Sequence, residues 1–394
     1  MDLRFTEEED MFRHEIRDYL RQELPPGYLE GQRDWETASE EAWAFYDDFT
    51  HKLGRKGWLA VAWPEEYGGR GWNPMQQLIF NEEMARHRAP RGDVIGLHLA
   101  GPIIIGYGNE EQKKQHLEPT AKGEVTWCQG FSEPNTGSDL ASLETRAVED
   151  GDEYVISGQK SWQTNAHRAQ WCLLLARTDP EAPKHKGISY FLMDMKSPGI
   201  TVVPVLSMPG IHTFNDVYLD EVRVPKSNLV GEENRGWYMA AKTIDFDRSQ
   251  AANLVAAKRN LEELVQYAKE TRHNGESLAQ NPHIRHKLAE LAIEIEVARM
   301  LGYRVVWMQT RGLQPNYEAS IVKLYSSELS QRLANVGMQV MGLHGQLLRG
   351  SKWAPLRGRL ALSYLLSVSS TIAAGTSEIQ RLVIAVRGLG LPRG

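Results

Sequence analysis

Hydrophobic positions along the chain change their period twice. Up to about residue 120 they recur at helical spacing, and "EEAWAFYDDFTHKLGRKGWLA", "NPMQQLIFNEEMARHRA" and "NEEQKKQHLEPTAKG" each read as a helix bounded by Gly or Pro. Thr6, followed by Glu7, Glu8 and Glu9, predicts a helix start with a capping-box partner at Glu9 and acidic charge at the positive end of the helix dipole. From roughly 124 to 230 the texture becomes short runs rich in Val, Ile, Tyr, Leu and Trp, broken by Gly, Pro, Asp and Asn. "DEYVISGQKSW", "QWCLLLARTD", "GISYFLMDM" and "DVYLDEVRVP" predict the strands of a small β-domain. After "GEENRGW" long helices return. Ile284, Leu288, Leu291, Ile295 and Ala298 alternate steps of four and three, a stripe that predicts a bundle core or a subunit interface. The fold class expected is α+β, with a helical domain over 1–122, a β-domain over 123–231 and a helical domain over 232–394.

Composition agrees with a folded, globular chain: of 394 residues, 41% are hydrophobic and 24% charged, enough for a large core. A net charge of -6 without long runs carries no footprint for nucleic acid or an anionic membrane, so small molecules and proteins are the expected partners. Cys128 and Cys172 sit in apolar, strand-like surroundings and predict buried, inert thiols, with neither a disulfide framework nor a zinc site. The acidic, amphipathic start "MDLRFTEEEDMFRHEIRDYL" predicts no secretory leader, and no apolar run approaches the ~20 residues of a membrane span. A cytoplasmic location is the expectation.

Common catalytic signatures fail in turn. A glycine-rich dinucleotide fingerprint and a P-loop are missing, and "GFSEP" has Pro134 where a nucleophile elbow needs its second glycine. The twelve histidines include no H-E-x-x-H and no pair at ligand spacing, so no metal is expected. Three separated stretches remain: "GFSEPNTGSDLASLET" from 130, "VISGQKSWQTNA" from 155 and "AAGTSEIQR" from 373. The first is a polar loop whose N–H groups and hydroxyls at Ser132 and Ser138 suit phosphates or a heterocycle. In the second, Trp162 and Thr164 stand two apart on a strand and hence on one face, an indole beside a hydroxyl that suits a flat ring with a polar edge. The third turns at Gly375 into a helix N-terminus, which favours anions. Singly, each also reads as a polar turn, a hairpin tryptophan or a capped helix.

With "EEYGGRG" near 65, "NEEQKKQHL" near 109, "VRVPKSNLVGEENRGW" from 222 and the terminal "GTSEIQR", these stretches resemble the acyl-CoA dehydrogenase family in order and spacing over essentially the whole chain. The resemblance implies an N-terminal helical domain, a middle β-domain and a C-terminal four-helix-bundle domain, with FAD between the last two and a tetrameric assembly. It implies that Phe131 and Ser132 lie along the flavin's pyrimidine edge, that Ser138 stands near cofactor and substrate chain, that Trp162 packs on the isoalloxazine and that Thr164 bonds flavin N5. It makes Thr376 and Glu378 cofactor contacts, although many members have an uncharged residue at 378, and Gln339 a contact to the neighbouring subunit's FAD. Where the family commonly has an arginine for the partner's FAD this chain has Thr271, and the adjacent Arg272 is the substitute. The turn after Gln339 is "GLHG", and "QLLRGSKWAPLRG" beyond it looks expanded.

The family reaction removes an α-proton from an acyl-CoA while the β-hydrogen leaves as hydride to flavin N5, giving a trans-2-enoyl-CoA. It needs a desolvated carboxylate of raised pKa. Many members place that Glu immediately before the glycine of the final motif, where this chain has Ala373 and Ala374. Other branches take the base from the first long helix of the bundle, and the matching position here is Asp247, followed by Arg248, which resembles the family's substrate-side arginine. Asp245 falls on a different helical face. Asp reaches about 1.5 Å less than Glu. The backbone N–H of Ala374 is retained for the thioester oxygen, and the two small side chains widen the pocket, as in the branch that oxidises steroid side-chain and similarly bulky acyl-CoAs. The implied partners are an acyl-CoA, an electron-transfer flavoprotein or similar acceptor, and a homotetramer or α2β2 heterotetramer. Two readings compete with the dehydrogenase: a partner subunit without its own base, and a same-fold flavoprotein oxidase or lyase.

Overall fold

The computed structural model describes residues 5–26, 28, 40–243 and 250–393. The chain divides into two compact units, one of Met1–Leu29, Asn73–Ala89 and Arg248–Gly394 and the other of Glu30–Trp72 and Pro90–Asp247.

In the first unit, α1 (Glu7–Glu23) begins at the predicted capping box: Thr6 accepts from the Glu9 N–H and the Glu9 carboxylate accepts from the Thr6 N–H. It lies against α3 (Pro74–Arg86), where Arg13 reaches both Glu82 and Glu83, at 2.9 and 3.0 Å, and Arg17 reaches Glu83 at 2.9 Å. Two adjacent buried carboxylates persist there because each meets a guanidinium. The bundle consists of α7 (Ala251–Glu270), α8 (Pro282–Thr310), α9 (Tyr317–Met341) and α10 (Arg359–Ser370). Its core joins Leu254, Leu261 and Leu264 to Leu288, Leu291, Ile295 and Ala298, to Leu329 and Leu333, and to Leu360. The stripe read from the sequence is therefore bundle core, with Ile284 partly buried at its start.

In the second unit, α2 (Glu40–Lys56), α4 (Gly101–Tyr107), α5 (Glu110–Lys122) and α6 (Gly236–Thr243) accompany a seven-stranded sheet. The strands are β1 (Trp127–Gly130), β2 (Arg146–Asp150), β3 (Glu153–Thr164), β4 (Trp171–Arg177), β5 (Ile188–Asp194), β6 (Ile200–Leu206) and β7 (His212–Pro225), in the order β1-β4-β2-β3-β7-β6 with β5 on β4. "WCLLLAR" and "ISYFLMD" are continuous apolar runs because β4 and β5 are buried on both faces, whereas β6 is largely exposed. β1 and β4 run parallel with Cys128 opposite Cys172, and both thiols are free and fully buried, as their apolar setting predicts.

His116 on α5 is buried with its ring edge-on to Trp127 and Trp171, at centroid distances of 5.3 and 4.5 Å. Its Nε2 has no hydrogen-bond partner among the described residues, and burial pushes the imidazole down to about 4. The unfolded chain therefore binds a proton near pH 6.5 that the folded chain refuses until about 4, so stability falls as pH falls through that window. His116→Phe is expected to remove about 2–3 kcal/mol of that loss between pH 6.5 and 4. Denaturant unfolding of both proteins across the window measures it, and superimposable pH profiles would refute the assignment.

Candidate active site

In the sheet-bearing unit, the "GFSEP" loop leaves β1 and is fastened from beneath by a buried ion pair. Lys160 on β3 is fully buried, and its ammonium meets Glu133 at 2.8 Å and the carbonyl of Phe131 at 3.1 Å. Glu133 also accepts the N–H groups of Glu144 at 2.7 Å and Thr145 at 2.9 Å, and the Ser161 N–H donates to the Ser132 carbonyl at 2.9 Å. Burial alone would push the Glu133 carboxyl up, but the Lys160 charge and these donors hold it below its usual range. Burial pulls the Lys160 ammonium down, against the opposing charge of Glu133. Phe131 is buried edge-on to Tyr190, Ser132 is half-buried and Ser138 is exposed.

The simple alternation expected around Trp162 does not hold. The β3–β7 register slips between Lys160 and Gln163, and Trp162 takes a left-handed φ of 62°. The cause is burial: Lys160, Ser161 and Gln163 are all inside, so an extra residue must be bulged out, and it is the tryptophan. Trp162 is consequently 61% exposed, a flat aromatic surface touched edge-on by Phe214, and Thr164 on the less buried side follows it.

The second group of predicted residues lies in the bundle unit, on the turn between α10 and α11 (Ser377–Val383). Ala374 has a φ of 54° and Gly375 one of 88°, the left-handed region that favours glycine at 375; a Cβ there would also displace the end of the Gln380 side chain, whose amide nitrogen stands 2.6 Å away. Gln331 donates to the Thr371 hydroxyl at 2.9 Å, Gln380 donates to the carbonyls of Ala374 and Gly375 at 3.3 and 3.4 Å, and Lys323 donates to the carbonyls of Ser370 and Gly375 at 3.1 and 2.7 Å. Thr376 caps α11 through the Ile379 N–H. No hydrogen bond among the described residues uses the Ala374 N–H. Glu378 is exposed, and its own N–H together with the Thr376 hydroxyl holds its carboxyl below the usual range. A cavity of about 540 Å³ opens here, lined among others by Gln331, Thr371, Thr376, Ser377, Glu378 and Arg381, and the Ser377 hydroxyl is buried with no partner among the described residues.

Gln339 lies elsewhere on the bundle. It is exposed on α9, sixteen residues or about 24 Å of helix beyond Lys323, and accepts from Lys287. Arg272, exposed on the β8 (Arg272–His273) and β9 (Glu276–Ser277) hairpin that follows Thr271, bonds back to the Gly275 carbonyl at 3.1 Å. Within the unit, then, Ala374, Thr376 and Glu378 are brought together and Gln339 is not. Asp245, Asp247 and Arg248 lie outside the described residues.

Profiles of the acyl-CoA dehydrogenase N-terminal, middle and C-terminal domains match residues 6–124, 128–222 and 234–389. The chain belongs to the acyl-CoA dehydrogenase family. It is similar to the acyl-CoA dehydrogenase FadE26 of Mycobacterium tuberculosis, at 33% identity over 100% of this chain and 99% of that protein. It is similar in structure to the Tcur3481-Tcur3483 steroid ACAD, with a TM-score of 0.90 and 32% identity over 100% of both chains. The ChsE4-ChsE5 complex from Mycobacterium tuberculosis gives a TM-score of 0.90 at 33% identity, again over 100% of both chains.

Acyl-CoA dehydrogenases are FAD-dependent oxidoreductases of CH–CH donors, and the residues present fit that cofactor. In the sheet-bearing unit the bulged indole of Trp162 offers a plane for a flat ring, and in the bundle unit the Ser377 hydroxyl is buried without a hydrogen-bond partner among the described residues. Sequence reasoning missed Glu133, Lys160, Lys323 and Gln331. A lysine inside the apolar pattern of β3 is a signal for Lys160; nothing local marks the others. Lys160→Met leaves the Glu133 carboxylate buried beside two N–H donors, and is expected to cost about 3–5 kcal/mol in denaturant unfolding. Because the folded Glu133 pKa is depressed, its contribution is present above the unfolded value of about 4.3 and disappears as pH falls through the folded one. A variant as stable as wild type at pH 7 would show that the pair contributes nothing.

Proposed function

We propose that this chain carries out FAD-dependent α,β-dehydrogenation of a bulky or branched acyl-CoA thioester to the trans-2-enoyl-CoA, with Asp247 as the α-proton base. The observation that carries this reading is the turn at Ala374: the side chain there is a methyl group, and no hydrogen bond among the described residues uses the backbone N–H. Ala374 N–H receives the thioester oxygen and lowers the acidity barrier at the α-carbon, and Asp247 takes the α-proton to its carboxylate. Arg248 and Ser138 contact the substrate. FAD, when bound, supplies the hydride acceptor; Phe131, Ser132, Ser138, Trp162, Thr164, Thr376 and Glu378 would hold it, with Arg272 and Gln339 reaching that of a neighbouring subunit. An electron-transfer flavoprotein or similar acceptor collects the electrons. Small residues at 373 and 374 support a bulky acyl group, as does the likeness to a structure described as a steroid ACAD.

A heteromeric α2β2 assembly is the second reading, favoured by Thr271 at the expected arginine position and by the ChsE4-ChsE5 likeness. Yellow colour and turnover that appear only with a second polypeptide would establish it.

The test is anaerobic addition of butyryl-CoA, a branched acyl-CoA and a steroid side-chain acyl-CoA to wild type and Asp247→Asn while following flavin bleaching. Bleaching of wild type by the bulky thioesters and a loss of at least about 100-fold in rate for Asp247→Asn are expected. Equal bleaching in both proteins removes Asp247 as base, and a clear preference for butyryl-CoA removes the bulky substrate.

A further inference from the structure

We propose that Lys323 is a positioning residue for this reaction: its ammonium, reaching across from α9, holds the carbonyls of Ser370 and Gly375 and so fixes the turn that presents the Ala374 N–H. The inference rests on the acyl-CoA dehydrogenation proposed above.

The carbonyls it holds lie on either side of the reactive amide. Ser370 ends α10, where orphan carbonyls accumulate and the helix dipole is negative, and Gly375 follows Ala374 directly. A cation placed there stabilises both. Ala374 is not glycine, so its φ of 54° is a conformation that persists only where the surroundings over-determine it. The main chain closes the turn through the Ser377 N–H, which donates to the Thr371 carbonyl at 3.0 Å; of the side-chain contacts on the 374–375 carbonyls, those from Gln380 are long, at 3.3 and 3.4 Å, whereas Lys323 meets Gly375 at 2.7 Å. Lys323 also stands on a well-fixed element: Val322 and Ser326 beside it are buried and α9 runs unbroken from Tyr317 to Met341. Glu378 supplies opposite charge at the start of α11. Without the ammonium, the dihedrals at Ala374 and Gly375 lose their strongest side-chain restraint, and the 373–374 peptide, which carries the Ala374 N–H, turns as they leave the left-handed region.

The role is separable from general stability. In the holoprotein, Lys323→Met is expected to keep its flavin and its thermal midpoint while amide exchange across residues 371–376 rises by about tenfold or more. With whichever of butyryl-, octanoyl- or steroid side-chain acyl-CoA the wild type turns over, kcat should fall by about 100-fold with KM little changed, the signature of a group misplaced in the transition state. Lys323→Arg, which can still donate to both carbonyls, should recover most of the rate. If Lys323→Met does not fold, Lys323→Gln is read by the same two measurements. Unchanged exchange in the turn, unchanged kcat, or a kcat loss that Arg does not relieve would each overturn the role of Lys323. A wild type inactive on the whole panel overturns the dehydrogenase reading itself, and is distinguished by failing before any variant is compared.

Discussion

A lysine ammonium enclosed in a β-domain is a severe constraint, because a charge moved out of water is tolerated only beside a matched acceptor set. Lys160 has that set in Glu133 and the Phe131 carbonyl, and Glu133 in turn takes the N–H groups of Glu144 and Thr145. Three stretches of chain therefore converge on one carboxylate: the loop after β1, the entry to β2 and the middle of β3. The rest of the candidate site in this unit follows from it. With Lys160 pinned inward and Ser161 and Gln163 buried around it, Trp162 has nowhere to go but outward, and the bulge that puts it there is stabilised by the burial of its neighbours.

The turn before α11 repeats the device in a different unit and secondary structure. A non-glycine residue sits in the left-handed region, Trp162 at 62° in one case and Ala374 at 54° in the other. A lysine ammonium on a main-chain carbonyl accompanies each: Lys323 reaches from α9 to Gly375 beside Ala374, whereas Lys160 stands on the same strand as Trp162 and reaches out to Phe131 in the loop after β1. An ammonium on a long stem can serve several acceptors at once, a carboxylate and a carbonyl for Lys160 and two carbonyls for Lys323.

Elements written in local periodicity were legible from the chain alone. The capping box at Thr6, the Leu288 to Ala298 stripe and the apolar runs of β4 and β5 each depend on residues within a turn or two of one another, which is the range over which period carries information. Both lysine anchors act at a distance: Lys160 and Glu133 are 27 residues apart, Lys323 and Gly375 52. Helix and strand periods carry no signal at such separations. The bulge at Trp162 was hidden for a related reason, since strand alternation assumes unbroken pairing and only the β7 partner shows where the register slips. Likeness of motif located Ala374, Thr376 and Trp162 as a set, but it could not say what holds them in place.

The same division between what a residue carries and what holds it explains how Ala373 and Ala374 can stand at the centre of such a site. If the conformation of the turn depended on the side chain at 374, replacing a glutamate there by a methyl group would release the backbone as well as remove the base. Here the turn is held by the Ser377 N–H on the Thr371 carbonyl and by Lys323, Gln380 and Gln331 acting on carbonyls and a hydroxyl, and none of these contacts involves the Ala374 side chain. An oxyanion donor supplied by the main chain is then independent of the base supplied by a side chain. On the proposed assignment the carboxylate at Asp247 needs only to approach the same α-carbon, and the space left by two alanines becomes room for the substrate. On that assignment, backbone anchoring of this kind would let the base stand on a different helix while the main-chain donor stays in place.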